Sequence, residues 1–372
     1  MSYSGSEEDE FAVFGQPTTG GCDGNDTPTE PEPVDDDPSL DPRAGLLVGD
    51  VDHRTRLLQP LSSGSFGDVY VGELEETEGR VAVKLERQKT GGSEQLLYEG
   101  NVYRRLEDGP GIARLHWFGL HPAGLNVLVL DLLGPSLYDL LVRCGGRLSL
   151  KSVLLLLDQL FHSIEFVHER GFVHRDISPN NLLMGRPGSD DEHRLFLVDF
   201  GLSKQFCSGP RFMPAGRRHI RYRQPVVGTM RFASRHAHAG EEAGRRDDLE
   251  AIGYLAVYLL LGRLPWQGLQ ADTAIDKFNA IARVKATTSA QDLCQDLPAE
   301  FSIYVDYTRQ LKQYDVPDYD SIRTMFRDLA ARLQYDYDDR FDWQASSEVA
   351  EAKKCRTPSA DSGIADMAED VC

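Results

Sequence analysis

Cysteine is scarce and scattered in this chain. Six cysteines (Cys22, Cys144, Cys207, Cys294, Cys355 and Cys372) occur in 372 residues, and no two stand in CxxC spacing. That argues against a zinc cluster or a disulfide framework and suits a reducing compartment, cytosolic or nuclear. Long apolar runs are missing too. Val153–Leu157 is far too short to cross a bilayer and reads as part of a buried helix. No leader is expected, because the first residues are rich in Ser, Glu and Asp. Ser2 follows Met1 where myristoylation needs glycine, and Val371-Cys372 is not a CaaX box, so no membrane attachment is expected. Basic charge is in deficit: 59 acids face 40 Lys and Arg, a formal charge of -19, which argues against nucleic-acid binding. The deficit is concentrated at the ends. Residues 1–52 hold 14 acids and one arginine, residues 346–372 hold 6 acids and 3 bases, and the stretch between carries only -3. The acidity therefore says little about any site.

Composition divides the chain. Residues 1–52 mix acids with Pro, Gly and Thr and show no apolar period, as a disordered acidic tail would. Residues 346–372, with Lys353-Lys354-Cys355-Arg356 and Pro358-Ser359, read as a second flexible tail. Residues 53–345 remain as one domain, large enough to bury about three-quarters of its unfolded surface. Its first part, about 53–133, has Val- and Leu-rich strand patterns near 56–61, 68–74, 80–86, 113–119 and 126–132, broken by glycine. One helix is predicted over Ser93–Leu106, with Leu96, Glu99, Tyr103 and Leu106 on one face. A glutamate on that apolar stripe needs a partner. The second part, about 134–345, is helical: Ser152–Glu169 ends at Gly171, Asp248–Leu261 is apolar nearly all round, and helices continue to about Leu333. The predicted fold is α+β and bilobal, a small β-rich lobe with one helix on a larger helical lobe.

Two short blocks carry the chemistry. HRDISPNNLL contains His174-Arg175-Asp176, then Asn181; LFLVDFGLSK contains Asp199-Phe200-Gly201. Moving a phosphoryl group from ATP takes one carboxylate to orient the attacking hydroxyl, and a carboxylate plus an amide to hold Mg²⁺ on the phosphates. Asp176 fits the first role; Asn181 and Asp199 fit the second with hard oxygen donors. Upstream, Leu61, Ser62, Gly64, Ser65, Phe66, Gly67 and Val69 form a phosphate-covering hairpin. Glycine lets backbone approach phosphate, although serine takes the first place of GxGxxG at Ser62. Read alone, the loop would equally be a Gly/Ser turn. Lys84 closes Val-Ala-Val-Lys on a strand, where phosphate oxygens and Glu99 can share its charge. Strand alternation puts Ala82 on the same face, leaving room for adenine. Leu183 is expected beneath the base and Val69 above it. The hinge is expected at Leu130-Asp131-Leu132-Leu133, with Leu130 as gatekeeper and backbone contacts from Asp131 and Leu133. Asp248, opening the buried helix, is placed to hold the HRD backbone from below.

LLGPSLYDL, GTMRFASRHAH and RRDDLEAIGYLAVYLLLGRLPWQGL resemble the casein kinase 1 family of Ser/Thr protein kinases, over roughly Arg56 to Trp343. The last block is highly specific to that family. The resemblance implies a monomeric, bilobal kinase using ATP and Mg²⁺ on acidic or already phosphorylated protein substrates. It further implies a basic pocket for the priming phosphate, matching Arg231, the backbone near Gly268, and Lys277. Ala274 and Ile275 stand where the family has Lys and Arg, so the field around the pocket is weaker. Ser234-Arg235-His236 stands near the place of the family's Ser-Ile-Asn, a family that itself lacks Ala-Pro-Glu.

The sharper departure is Ser178. The family reads HRDIKP, and its lysine neutralises the moving phosphoryl group; here the motif is Asp176-Ile177-Ser178-Pro179, and no arginine takes the positions two or four after the aspartate. Losing one such contact could cost ~100-fold or more in rate. Arg217, Arg218, Arg221 and Arg223 read first as a solvated or substrate-docking basic stretch, and second as candidate substitute cations. Two function classes follow: an active kinase with Asp176 as base, Lys84 and Glu99 as its ion pair and Ser178 beside the base, or a weakly active nucleotide-binding scaffold. Phosphotransfer to a small molecule is a distant third.

Overall fold

The computed structural model describes residues 43–50, 53–64, 67–88, 95–206 and 226–344. The first lobe holds strands β1 (Leu47–Val48), β2 (Thr55–Gly64), β3 (Gly67–Leu74) and β4 (Arg80–Arg87), helix α1 (Gln95–Arg105), and strands β5 (Leu115–His121) and β6 (Leu125–Asp131). One antiparallel sheet joins them in the order β1-β2-β3-β4-β6-β5. Alternation along the strands gives the sheet two different faces. Val81, Val83, Leu85, Val127 and Val129 turn one way, with Leu57 and Tyr70, into a small outer core. Ala82, Lys84, Leu128 and Leu130 turn the other way, opposite one another in the β4–β6 ladder. Leu96, Val102 and Tyr103 of α1 share a cluster with Leu128 on this second face. Glu99 comes with them because it lies on the same helical stripe.

The sheet begins earlier than composition indicates. Residues 43–50, expected in the acidic tail, fold onto it: Leu47 pairs with Arg56, Val48 with Thr55, and Val48 is buried. Asp50 accepts the Trp117 indole N–H at 2.9 Å, and Arg43 pairs with Asp68. A two-residue strand has no period to detect, so composition places residues 43–50 in the tail although they fold onto the sheet. The rest of the expected tails lies outside the described residues.

The second lobe holds α2 (Leu137–Arg143), α3 (Leu150–Glu169), β7 (Phe172–Val173), β8 (Leu182–Met184), β9 (Leu195–Leu197), β10 (Lys204–Gln205), α4 (Arg235–His238), α5 (Arg245–Leu261), α6 (Ala274–Thr287), α7 (Ala290–Leu293), α8 (Ala299–Gln310) and α9 (Tyr319–Arg332). Ser149 caps α3 by accepting the Ser152 N–H, and Gly171 at φ 82 ends it. Helix α5 is buried from Arg245 to Leu259, as its all-round apolar pattern predicts. Phe161 of α3 stacks on Phe326 of α9 and meets Tyr304 of α8 edge-on, so these helices close the core around α5. Two short antiparallel ladders, β8–β9 and β7–β10, flank the catalytic blocks. Among the described residues, no helix is long and apolar enough to cross a membrane.

Candidate active site

Lys84 is at the centre of the cleft. Its Nζ donates to Glu99 Oε2 at 2.9 Å and to Asp199 Oδ1 at 3.2 Å, joining β4, α1 and the end of β9. Burial works against its charge, but the two carboxylates outweigh burial and hold the ammonium above its ordinary range. Glu99 is the more buried partner, and burial pushes it above the usual carboxylate range against the pull of Lys84. For Asp199, burial is overridden by Lys84, and the carboxyl sits below its ordinary value. Asp199 adopts φ 64, a left-handed conformation that aspartate tolerates better than most residues, and its Oδ1 also accepts the Gly201 N–H.

Asp176 lies across the cleft, and no cation of the described residues bonds it. Its Oδ1 accepts the Thr229 N–H at 2.8 Å, and its Oδ2 accepts from Asn181 Nδ2 at 2.9 Å. Burial raises its pKa, partly offset by Thr229. Below it, Asp248 accepts the N–H groups of His174 (2.7 Å) and Arg175 (2.8 Å), together with His168 Nε2 at 2.9 Å. The expected support of the HRD backbone by Asp248 is therefore present, and Arg175 is held there at φ 72. His174 donates from Nε2 to Val198 O at 3.0 Å and accepts the Asp176 N–H at Nδ1. Phe200 lies edge-on to His174 (5.0 Å) and to Tyr103 (5.1 Å), so three rings connect the catalytic loop to the helix of Glu99.

Ser178 is buried at the start of a short 3₁₀ turn over Pro179–Asn181, and its side chain caps nothing there. Asn181 directs its amide nitrogen at Asp176, to the backbone O as well as Oδ2, which leaves its carbonyl oxygen for a cation. With Asp199 this gives two hard oxygen donors. Among the described residues no group of three or more His, Cys, Asp or Glu converges as a metal cage. Mg²⁺ carried on nucleotide phosphates needs only one or two protein donors, so Asn181 and Asp199 fit it.

The nucleotide-side residues lie along the cleft face of the sheet. Val69 pairs with Lys84 and Val71 with Ala82, so all four share that face. Gly67 has φ 116, and a Cβ there would fall 2.2 Å from Leu85 O, so the hairpin requires glycine. Leu61 and Ser62 lie on β2 and are exposed; Gly64 pairs with Gly67 at the hairpin tip. Ser65 and Phe66 lie outside the described residues, as do Arg217, Arg218, Arg221 and Arg223. Leu130 stands opposite Ala82. The Asp131 carboxylate turns to β5, taking His116 Nε2 at 2.8 Å and the Arg114 N–H at 3.0 Å, so its contribution to a hinge is by backbone. After Leu133 the chain is stitched to β8: Gly134 donates to Met184 O and Met184 to Pro135 O. Leu183 is half-buried on β8, paired with Phe196 of β9.

Arg231, Gly268 and Lys277 lie on three separate segments. Arg231 lies over the Tyr258 ring at 5.4 Å, and its carbonyl accepts the Trp266 indole N–H at 2.8 Å. Gly268 follows two residues after Trp266, at φ 70 with open space beside it. Lys277 precedes Phe278, whose ring is 4.9 Å from His238. Residue-by-residue reading missed Thr229, whose backbone N–H orients Asp176. Its only signal is a place inside the GTMRFAS block.

The family described as protein kinase domain matches residues 56–344, more than half of the chain. The chain belongs to the protein kinase family. Its bilobal α+β fold follows, and so does use of ATP to phosphorylate protein.

Proposed function

We propose that this chain is an active Ser/Thr protein kinase of casein kinase 1 type, transferring the ATP γ-phosphoryl group to serine or threonine in acidic or phosphate-primed proteins. The observation that carries the reading is the assembled set: Lys84 on Glu99 and Asp199, with Asp176 independently oriented by Thr229 and Asn181. A scaffold that only bound nucleotide would have no need of a buried carboxylate held by two donors across the cleft.

Each residue has a separable part. Lys84, fixed by Glu99, draws the phosphates to the floor of the cleft. Leu130, Ala82, Val69 and Leu183 enclose the base, with backbone from Asp131 and Leu133 at its edge. Mg²⁺ bound at Asn181 and Asp199 would screen the phosphate charge. Asp176 orients the acceptor hydroxyl and takes its proton as the bond to phosphorus forms. Its raised pKa suits a base that must become protonated. Ser178 offers a hydrogen bond where related kinases place charge. Arg231 and Lys277, with the backbone at Gly268, receive the priming phosphate by charge-assisted hydrogen bonds. The chain acts as a monomer in the cytoplasm or nucleus.

A weakly active, scaffolding kinase is favoured by two departures, the buried uncharged Ser178 and Ser62 in the first place of the glycine loop. One experiment separates the readings: radiolabel transfer to casein and to a peptide with phosphoserine three residues before the acceptor, beside the unphosphorylated twin and Asp176→Asn. Transfer that survives Asp176→Asn removes the mechanism. Equal kcat/KM on the two peptides removes the pocket.

A further inference from the structure

Behind the substrate side of the cleft lies a lysine with no part in the steps above. Lys285 of α6 is fully buried. Its Nζ donates to Met230 O at 2.7 Å and to Ala233 O at 2.6 Å, and shares a hydrogen bond with His238 Nε2 at 3.2 Å. The rings of Tyr254 and Trp266 flank it, with centroids at 5.2 and 5.0 Å. Trp266 donates its own N–H to the carbonyl of Arg231. The carbonyls of Met230, Arg231 and Ala233 are thus all held by this one lysine–tryptophan pair.

Burying an amine is costly, and burial pushes the Lys285 pKa well below its ordinary range. A methionine would fill similar volume without that cost, so packing does not account for the amine. Its donors do. The backbone they hold has Thr229 at one end, whose N–H fixes Asp176, and carries Arg231 in its middle. One short segment therefore supports both the base and the pocket arginine.

We propose that Lys285, with Trp266 beside it, is a positioning residue for phosphoryl transfer: it fixes backbone 229–233, so that Thr229 keeps Asp176 oriented and Arg231 stays presented to the substrate. Neither residue touches the reacting atoms. The Arg231 half rests on the phosphate-reading pocket proposed above; the Asp176 half does not. A misplacement of about 1 Å in such a support can cost ~100-fold in rate. A role confined to joining α6 to α4 would lower stability and affect every substrate equally.

The test uses the full chain with Lys285→Met or Trp266→Phe, a phosphoserine-primed peptide, its unphosphorylated twin and a thermal melt. Lys285→Met is expected to melt cooperatively with an unchanged KM for ATP, to lose ~10-fold in kcat on the twin, and to lose most of its preference for the primed peptide. Wild-type kcat on the twin with wild-type preference overturns the proposal, and so does an equal fall on both peptides. If Lys285→Met does not fold, Trp266→Phe decides. Losing one donor, it should lower both the primed preference and the kcat on the twin ~3-fold; an unchanged preference overturns the proposal. If the wild type itself treats the peptides alike, the pocket reading fails separately. The kcat of each variant on the twin then judges the Asp176 half alone, and wild-type values in both overturn it.

Discussion

Asp199, half-buried, and Asp176, buried, are carboxylates at the mouth of one cleft, but they keep their charge by different means. Asp199 has a cation, Lys84, and its pKa is lowered despite burial. Asp176 has only neutral donors among the described residues, the Thr229 N–H and the Asn181 amide, and its pKa is raised. The nucleotide side must meet charged phosphates and stay ionised. The hydroxyl side must accept a proton and give it up. Environments that push two carboxylates apart in this way assign their tasks.

The largest expected effect comes from removing either charge. Asp176→Asn should lower kcat by about 10²- to 10⁴-fold, while Mg²⁺-nucleotide affinity, read by a fluorescent analogue, stays at the wild-type level. Asp199→Asn should lower kcat as strongly and weaken that affinity as well. Asn also tolerates the left-handed backbone at position 199, so the fold should persist. If both variants weaken nucleotide binding equally, the two sides of the cleft are not separable.

Lys84→Met comes next. It leaves Glu99 buried without its cation, and unpairing a buried ion typically costs about 3–5 kcal/mol. The residual exposure of Lys84 argues for the lower end. The variant should therefore melt earlier in calorimetry as well as lose turnover, whereas Asp176→Asn should lose turnover alone.

Ser178→Lys sharpens the contrast by giving Asp176 a cation. The free wild-type enzyme should show an acid limb in kcat/KM above the ordinary carboxylate range, set by Asp176. A neighbouring ammonium favours the charged carboxylate, so the variant's limb should move to lower pH, with a modest rise in kcat and little change in the ATP KM. A limb that stays in place, together with a sharp loss when Arg217, Arg218, Arg221 or Arg223 becomes Ala, would show that a cation already serves there.

The smallest effect lies outside the cleft. Burial and then Lys285 hold His238 down to about 3 from an ordinary 6.5. The unfolded chain thus binds this proton more readily than the folded one, so stability is complete above pH 6.5 and drains as pH falls toward 3. His238→Gln should flatten that part of the stability-against-pH curve from chemical denaturation. An unchanged slope would assign the acid loss to other groups, such as buried His168.

Much of this was legible in advance because local patterns and tertiary needs agree. Glu99 announced itself as a charge on an apolar stripe, and Lys84 as a charge on a strand that alternates into a core. Asp248 announced itself at the head of a helix apolar on all sides. Lys285 carries the same signal, standing on one helical face with Phe278 and Ile281, but its partners are backbone carbonyls that no residue type reveals. Thr229 was hidden for the same reason, since it acts through its N–H. The left-handed residues of the two catalytic blocks, Arg175 and Asp199, follow from tertiary hydrogen bonds that a local reading cannot anticipate.

The strap at residues 43–50 bears on how the molecule stays dispersed. An exposed strand edge offers unpaired N–H and C=O groups to any passing chain. Here β1 and the turn before it cover the first part of β2, with Gly45 and Leu46 bonding Leu57. Farther along, two register shifts and Pro60 spoil the template. A polypeptide cut to begin at residue 53 would keep the cleft but leave the start of β2 uncovered and the place of Val48 empty. Such a protein should associate with itself as its concentration rises, while one beginning at residue 43 should not, and sedimentation across a dilution series would separate them.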